Sequence, residues 1–206
     1  DYYFVFLSLC IIYFKMIKEI ELSNENDFIK CFDHLYQDIT TEYDFGYTMK
    51  KINVEEKRID SLFSCCCSDR DFVYSNYERL KNAIYDILRM NGIEISKIED
   101  MNIEFILAKS RDEIIVENGF AIHQDRDSRV DGDSYTIIIY LHTNCQGGEL
   151  IFYDSTLCSF EKTRTVDPNT HLSSNTKVVI FDGEIFHKPE PFYNGQRCAI
   201  VCQVSK

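Results

Sequence analysis

His123 and Asp125 stand two residues apart in GFAIHQDRD. On an extended strand, residues i and i+2 project to the same face, so both side chains can reach one ion. His187 comes much later, in VVIFDGEIFHKPEP, on a segment able to fold back beside the first, and Arg197 follows ten residues on. Two imidazoles and one carboxylate leave the remaining coordination positions of a metal open, which suits a non-haem Fe(II) oxygenase. Arg197 opens the apolar stretch RCAIVCQV. A guanidinium buried there needs a partner, and its planar fork suits two-pronged capture of a carboxylate.

Other clusters carry less. His142 and His171 read as structural or exposed histidines rather than ligands. Asp127, Asp131 and Asp133 in DRDSRVDGD lack the full spacing of a hard-cation loop and read as a solvated loop at the mouth of the site. Cys65, Cys66 and Cys67 are consecutive, and three adjacent thiols on regular backbone cannot all face one ion. No Cys or His pair follows at finger spacing, so this stretch reads as a loop or a strand end.

The elements that must position these residues follow from periodicity. Ser23 or Asn24 can cap a helix carrying Phe28, Phe32, Leu35, Tyr36 and Ile39 on one face. A possible strand at residues 45 to 49 lies within an otherwise irregular stretch from 40 to 60. Ser75 and Glu78 form a capping box for a second helix, Leu80, Ile84, Ile87 and Leu88 make its apolar stripe, and Gly92 supplies its stop. Strands are expected around Ile103 to Leu107, through His123, and over 135 to 142, 149 to 153, 160 to 166, 177 to 182, 185 to 188 and 197 to 204. Residues 171 to 176 read as a surface turn. Helices first and then a run of short strands predict an α+β protein whose strands form a two-sheet jelly roll.

Read together, HxD at 123 to 125, SYTIIIYLH at 134 to 142, GGELIFY at 147 to 153, VVIFDGEIFHKPEP and GQR occur in an order that resembles the Fe(II)- and 2-oxoglutarate-dependent dioxygenases. The resemblance is to the prolyl 4-hydroxylase-like branch and covers roughly residues 101 to 204. It implies a double-stranded β-helix core over 101 to 206, with residues 16 to 100 as helical support in one integrated domain. It also implies that His123, Asp125 and His187 bind Fe(II) and that Arg197 holds the distal carboxylate of 2-oxoglutarate. Tyr140 matches the tyrosine that donates to the same carboxylate, with a place in the sheet core as its alternative. The expected activity is hydroxylation of a substrate, a prolyl residue of a protein or peptide first among them, using O2 and releasing succinate and CO2, with ascorbate as a supporting reductant. The chain departs from the branch at His142, where Asn is usual, and at Asn175, where Gly is common.

Composition fits this reading. A chain of 206 residues with 45% hydrophobic and 14% aromatic content can bury one sizeable core. Its net charge of -12 repels phosphate backbones and argues against a nucleic-acid partner. Nine cysteines without paired spacings point to a reducing compartment, and so to the cytoplasm. The apolar run from residue 2 to 14 is short for a membrane span. Met16 opens a segment that looks like the start of a soluble protein, so residues 1 to 15 read as a leader of translated upstream sequence. A buried strand or a clipped membrane anchor are the alternatives. Two other functions stay open: an oxygenase of the same fold acting on a small molecule or a nucleic-acid base, and a non-catalytic binding protein that keeps the fold.

Overall fold

Apolar side chains at nearly every position of SYTIIIYL leave this strand no solvent face, so it must be covered on both sides. The computed structural model covers it in that way. It describes residues 16–22, 48–49, 59–66, 74–95, 102–110, 121–125, 134–155, 159–170 and 176–206. In chain order these hold β1 (Ile17–Leu22), β2 (Thr48–Met49), β3 (Ile59–Cys66), α1 (Tyr74–Met90), β4 (Asn102–Ser110), β5 (Ser134–Leu141) and β6 (Asn144–Gly147). Then follow β7 (Leu150–Ser155), β8 (Phe160–Val166), β9 (Thr176–Asp182), β10 (Phe186–Pro189) and β11 (Phe192–Ser205). The larger sheet runs β1-β9-β5-β11-β4-β3-β2, with β6 also paired to β11, and the smaller runs β10-β7-β8. Neighbouring strands are antiparallel throughout.

Strand periodicity divides the core into two layers. Ile137, Ile139 and Leu141 of β5, Val178 and Ile180 of β9, and Cys198, Ile200, Cys202 and Val204 of β11 face the helix side, where Ala83, Ile84, Ile87 and Leu88 of α1 pack on them. The intervening residues, Ile138 and Tyr140, Val179 and Phe181, and Ala199, face Leu150, Phe152 and Val166 of the smaller sheet. One sheet thus carries two apolar faces, one under the helix and one inside the roll, and the result is a jelly-roll-like fold. The stop at Gly92 is a left-handed cap: Gly92 has φ of 70°, its N–H donates to Arg89 O, and the Ile93 N–H reaches back to Leu88 O, both at 3.0 Å.

Several expectations are met closely and others need correction. The strands expected at 135 to 142, 149 to 153, 160 to 166, 177 to 182 and 185 to 188 appear as β5, β7, β8, β9 and β10, and β11 begins before residue 197, at Phe192. The stretch from 16 to 100, expected as helical support, also supplies β1, β2 and β3 to the main sheet. In β1, IKEIEL alternates along the strand, with Ile17 against the inner core and Ile20 and Leu22 against the helix-side core. Cys65 and Cys66 end β3, so the strand-end reading holds for them. The expected helix from Ser23 to Ile39, the capping side chains of Ser75 and Glu78, and residues 1 to 15 lie outside the described residues, as do Cys67 and the 171 to 175 turn. Among the described residues, no helix is long and apolar enough to cross a membrane.

Candidate metal centre and its cavity

Backbone pairing brings the two histidines together. The His123 N–H donates to His187 O at 3.0 Å and the His187 N–H to His123 O at 2.9 Å. Residues that exchange both bonds in an antiparallel pair project their side chains from the same face, and the two imidazole centroids lie 4.4 Å apart. Asp125, two residues along, reaches that face as the strand period requires. Its Oδ1 is 3.4 Å from His123 Nε2 and its Oδ2 3.3 Å from His187 Nε2. The three donor atoms all lie within 4.8 Å of one another.

The outer bonds of the rings explain why both Nε2 atoms point at this spot. Each Nδ1 lies against the carbonyl two residues earlier, Ala121 O at 2.9 Å for His123 and Ile185 O at 3.0 Å for His187. A carbonyl can only accept, so each Nδ1 carries a proton; a neutral ring then presents its Nε2 lone pair, and a protonated ring donates from Nε2 to Asp125. Phe181 and Phe152 pack on the His187 ring at 4.8 and 6.2 Å. The His187 side chain is 3% exposed, that of Asp125 12% and that of His123 34%, so the centre opens toward solvent on the His123 side. Burial pushes the Asp125 carboxyl up, but the hydrogen bonds from His123 and His187 outweigh it and hold the group well below the usual carboxylate range. Donating that bond to Asp125 favours the protonated ring and raises the His123 pKa, with burial opposing. A deprotonated carboxylate between two imidazoles with inward lone pairs is a donor set that fits a divalent metal, whose bonds of about 2 Å need donors roughly 3 to 4 Å apart.

Arg197 stands on the inward face of β11 and is 6% exposed. Its neighbours are fastened to the corner after β5: Gln196 Nε2 donates to His142 O at 2.9 Å, and the Cys198 N–H to Thr143 Oγ1 at 3.3 Å. The guanidinium lies over the Phe192 ring, 5.4 Å from its centroid. Tyr140 pairs with Ala199 across β5 and β11, which puts it diagonal to Arg197 on the same face. Burial pushes the Tyr140 hydroxyl up to about 12 although Arg197 pulls it down, so it remains a donor at neutral pH. A cavity of about 120 Å³ joins these groups, with His123, Asp125, His187, Tyr140, Arg197 and Gln203 supplying its polar lining and Ile138, Leu150, Pro189, Ala199 and Val201 the rest.

The structure therefore brings His123, Asp125, His187, Arg197 and Tyr140 into one cavity. His142 stays out of it: it holds a left-handed turn at φ 44°, a conformation that Asn and His tolerate better than most residues. Lys188, the basic residue nearest His187 in sequence, pairs instead with Glu190 at 3.3 Å. His171, Asn175, Asp127, Asp131 and Asp133 lie outside the described residues. Sequence reasoning missed Lys177, which is buried in the Tyr140 row of β9 and donates to Asp167 O at 2.7 Å. It also missed Gln203. The only signal for either is a polar residue at an inward position of an apolar strand, legible once register is known.

No family model matches the chain, and no curated protein does. Solved structures do. The chain is similar to a Pseudomonas putida prolyl-4-hydroxylase, with a TM-score of 0.51 and 14% identity over 94% of each chain. It is also similar to a prolyl hydroxylase from Trichoplax adhaerens, solved in complex with a peptide fragment of the oxygen degradation domain of hypoxia inducible factor. That match has a TM-score of 0.51 and 16% identity over 92% of this chain and 83% of that one. The chain thus shares the fold of these prolyl hydroxylases, as the sequence resemblance implied.

Proposed function

We propose that this chain is an Fe(II)- and 2-oxoglutarate-dependent dioxygenase acting on a protein or peptide, with a prolyl residue as the favoured target. The observation that carries the reading is the convergence of His123 Nε2, Asp125 Oδ and His187 Nε2 on one point at the wall of the cavity. The two histidines and Asp125 would hold the iron on one side and leave the cavity side open. Arg197 and Tyr140 would take the distal carboxylate of 2-oxoglutarate, the arginine by charge and the tyrosine by donating its retained proton. Phe152 and Phe181 brace the His187 ring, and Ile138, Leu150, Ala199 and Val201 keep water from the reacting atoms. When bound, iron, 2-oxoglutarate and O2 supply oxidising chemistry that puts one oxygen atom into a substrate C–H bond and the other into succinate, with loss of CO2.

The cavity is of suitable size. At ~10–15 Å³ for each water-sized group, about 120 Å³ accommodates roughly ten such groups. A peptide substrate agrees with the peptide-bound state of the Trichoplax structure. Because β1 and β3 share a sheet with the strands of the site, we treat residues 16 to 206 as one integrated domain. Cys145, Cys198 and Cys202 are thiols outside any disulfide, which suits a reducing, cytoplasmic setting. The test is succinate release from 2-oxoglutarate in the presence of Fe(II), ascorbate and proline-containing peptides. Peptide-dependent succinate with a peptide mass gain of one oxygen is the expected result, and no 2-oxoglutarate consumption with any peptide is the result against it.

A further inference from the structure

In the reading above, the metal and the co-substrate account for every polar residue that lines the cavity except Gln203. Gln203 faces inward from β11, six residues beyond Arg197 and so about 20 Å farther along the strand. Register sets it in one row with Thr136 of β5 and Phe181 of β9. The Phe181 ring lies edge-on to His187 at 4.8 Å. Gln203 therefore belongs to the metal's end of the cavity, away from Arg197.

Two polar groups in this row have unmet hydrogen-bonding capacity. The half-buried Gln203 amide makes no side-chain hydrogen bond among the described residues. Thr136 Oγ1, directly across from it, is fully buried and likewise has no partner. Ile138 and Val201 line the cavity beside them, so among the described residues that line this end the amide is the polar group outside the His123, Asp125 and His187 cluster. A primary amide carries an acceptor and two donors and no charge. That set complements a peptide group, which offers one donor and one acceptor, better than a carboxylate, which only accepts, or an ammonium, which only donates. A nucleobase edge offers a similar pair but arrives on a phosphate backbone that a chain of net charge -12 repels.

We propose that Gln203 orients the substrate by pairing with a backbone amide beside the oxidised residue, with Thr136 holding the other atom of the glutamine amide. The site is thereby matched to a peptide segment. This inference rests on the dioxygenase reading and adds the group that selects its substrate class.

The test uses the full chain with Fe(II), 2-oxoglutarate and a panel of blocked ten-residue peptides bearing a central proline, hydroxylation being read by mass. The best peptide is remade with an ester in place of the amide on the C-terminal side of the proline. Gln203→Leu should raise the peptide KM by about two- to ten-fold, as loss of a neutral hydrogen bond does, while the 2-oxoglutarate affinity read from the visible charge-transfer band stays at the parent value. The ester should raise KM in the parent and add nothing further in Gln203→Leu. Thr136→Val should shift the peptide KM in the same direction by less. An unchanged peptide KM in Gln203→Leu, an ester penalty of equal size in both proteins, or 2-oxoglutarate consumption by the parent with a small molecule and no peptide would overturn the inference. A parent that binds neither Fe(II) nor 2-oxoglutarate would overturn the dioxygenase reading, and this inference with it.

Discussion

Replacing Arg197 with alanine should separate co-substrate binding from metal binding. The guanidinium is 6% exposed and lies beside Tyr140, in the same cavity as His123, Asp125 and His187 but on another strand. Truncating one partner of a buried, charge-assisted pair costs about 2 to 5 kcal/mol. The Tyr140 hydroxyl keeps its proton up to about 12 and still donates to the carboxylate, which places the loss in the lower half of that range. An expected cost of about 2 to 3.5 kcal/mol is about thirty- to four-hundred-fold in 2-oxoglutarate affinity. Fe(II) affinity should stay close to that of the parent, because none of the three ligands is touched. Lysine at 197 should recover part of the loss, since it restores the charge but not the fork. The assay is a pair of anaerobic titrations, metal by spectroscopy and 2-oxoglutarate by the charge-transfer band of the ternary complex. If Arg197→Ala binds 2-oxoglutarate as tightly as the parent, the assignment is refuted. Lys177, the buried basic residue in the Tyr140 row, then becomes the residue to test.

Three further outcomes follow from the same geometry. Asp125→Ala should abolish tight Fe(II) binding. In the metal-free protein it should also remove a pH-dependent stabilisation: Asp125, with a lowered pKa, contributes above 3.8 and loses its contribution as pH falls, while His123, with a raised pKa, contributes below 6.5 and loses its contribution as pH rises through the raised value. Urea unfolding of the chelated proteins should therefore give the largest gap between parent and variant from pH 3.8 to 6.5, and a flat gap would refute the charge pairing. Gly195 has φ of 137° and its Cβ position falls against the Asn144 carbonyl, so Gly195→Ala should cost about 1 to 3 kcal/mol in stability and weaken 2-oxoglutarate binding through Arg197, as denaturant midpoints and the same titrations would report. Zinc should occupy the centre, since affinity order favours it over Fe(II), yet support no 2-oxoglutarate turnover; succinate formation with zinc alone would point to different chemistry.

The candidate metal site was legible because its geometry is local twice over. His123 and Asp125 share a face by strand period alone, and each histidine is oriented by a carbonyl two residues before it. The pairing of His123 with His187 joins residues far apart in sequence, and only the order of the surrounding strands suggested it. β5, β9 and β11 were legible from continuous apolar runs. β1 was not, because IKEIEL has no apolar run and splits its apolar residues between two faces, Ile17 on one and Ile20 and Leu22 on the other; it becomes a strand by pairing with β9, where Arg164 of β8 also meets Glu19. β6 escaped for a related reason: NCQG has no apolar pattern and is held by its pairs on β11 and by Asn169 Oδ1, which accepts from the Cys145 N–H at 2.8 Å.

What local pattern could not supply was the phase of β11. Both faces of this strand are apolar over much of its length, so hydrophobicity alone does not decide whether Arg197 or Cys198 looks into the roll. A slip of one residue would exchange the two faces, moving Arg197 and Gln203 under α1 and Cys198 and Cys202 into the cavity. The choice is made at the corner between β5 and β6. There the irregularity between Tyr193 and Gln196 sets the register against β6, and Gly195 permits an approach to Asn144 that a side chain would block. Thr143 then ties the corner to the strand, its Oγ1 donating to Cys198 O at 3.1 Å and accepting from the Cys198 N–H at 3.3 Å. From that point β11 pairs with β5 without interruption from Ala199 to Ser205. The turn that admits one glycine thus fixes, through strand period, which side chains face the cavity and which face the helix.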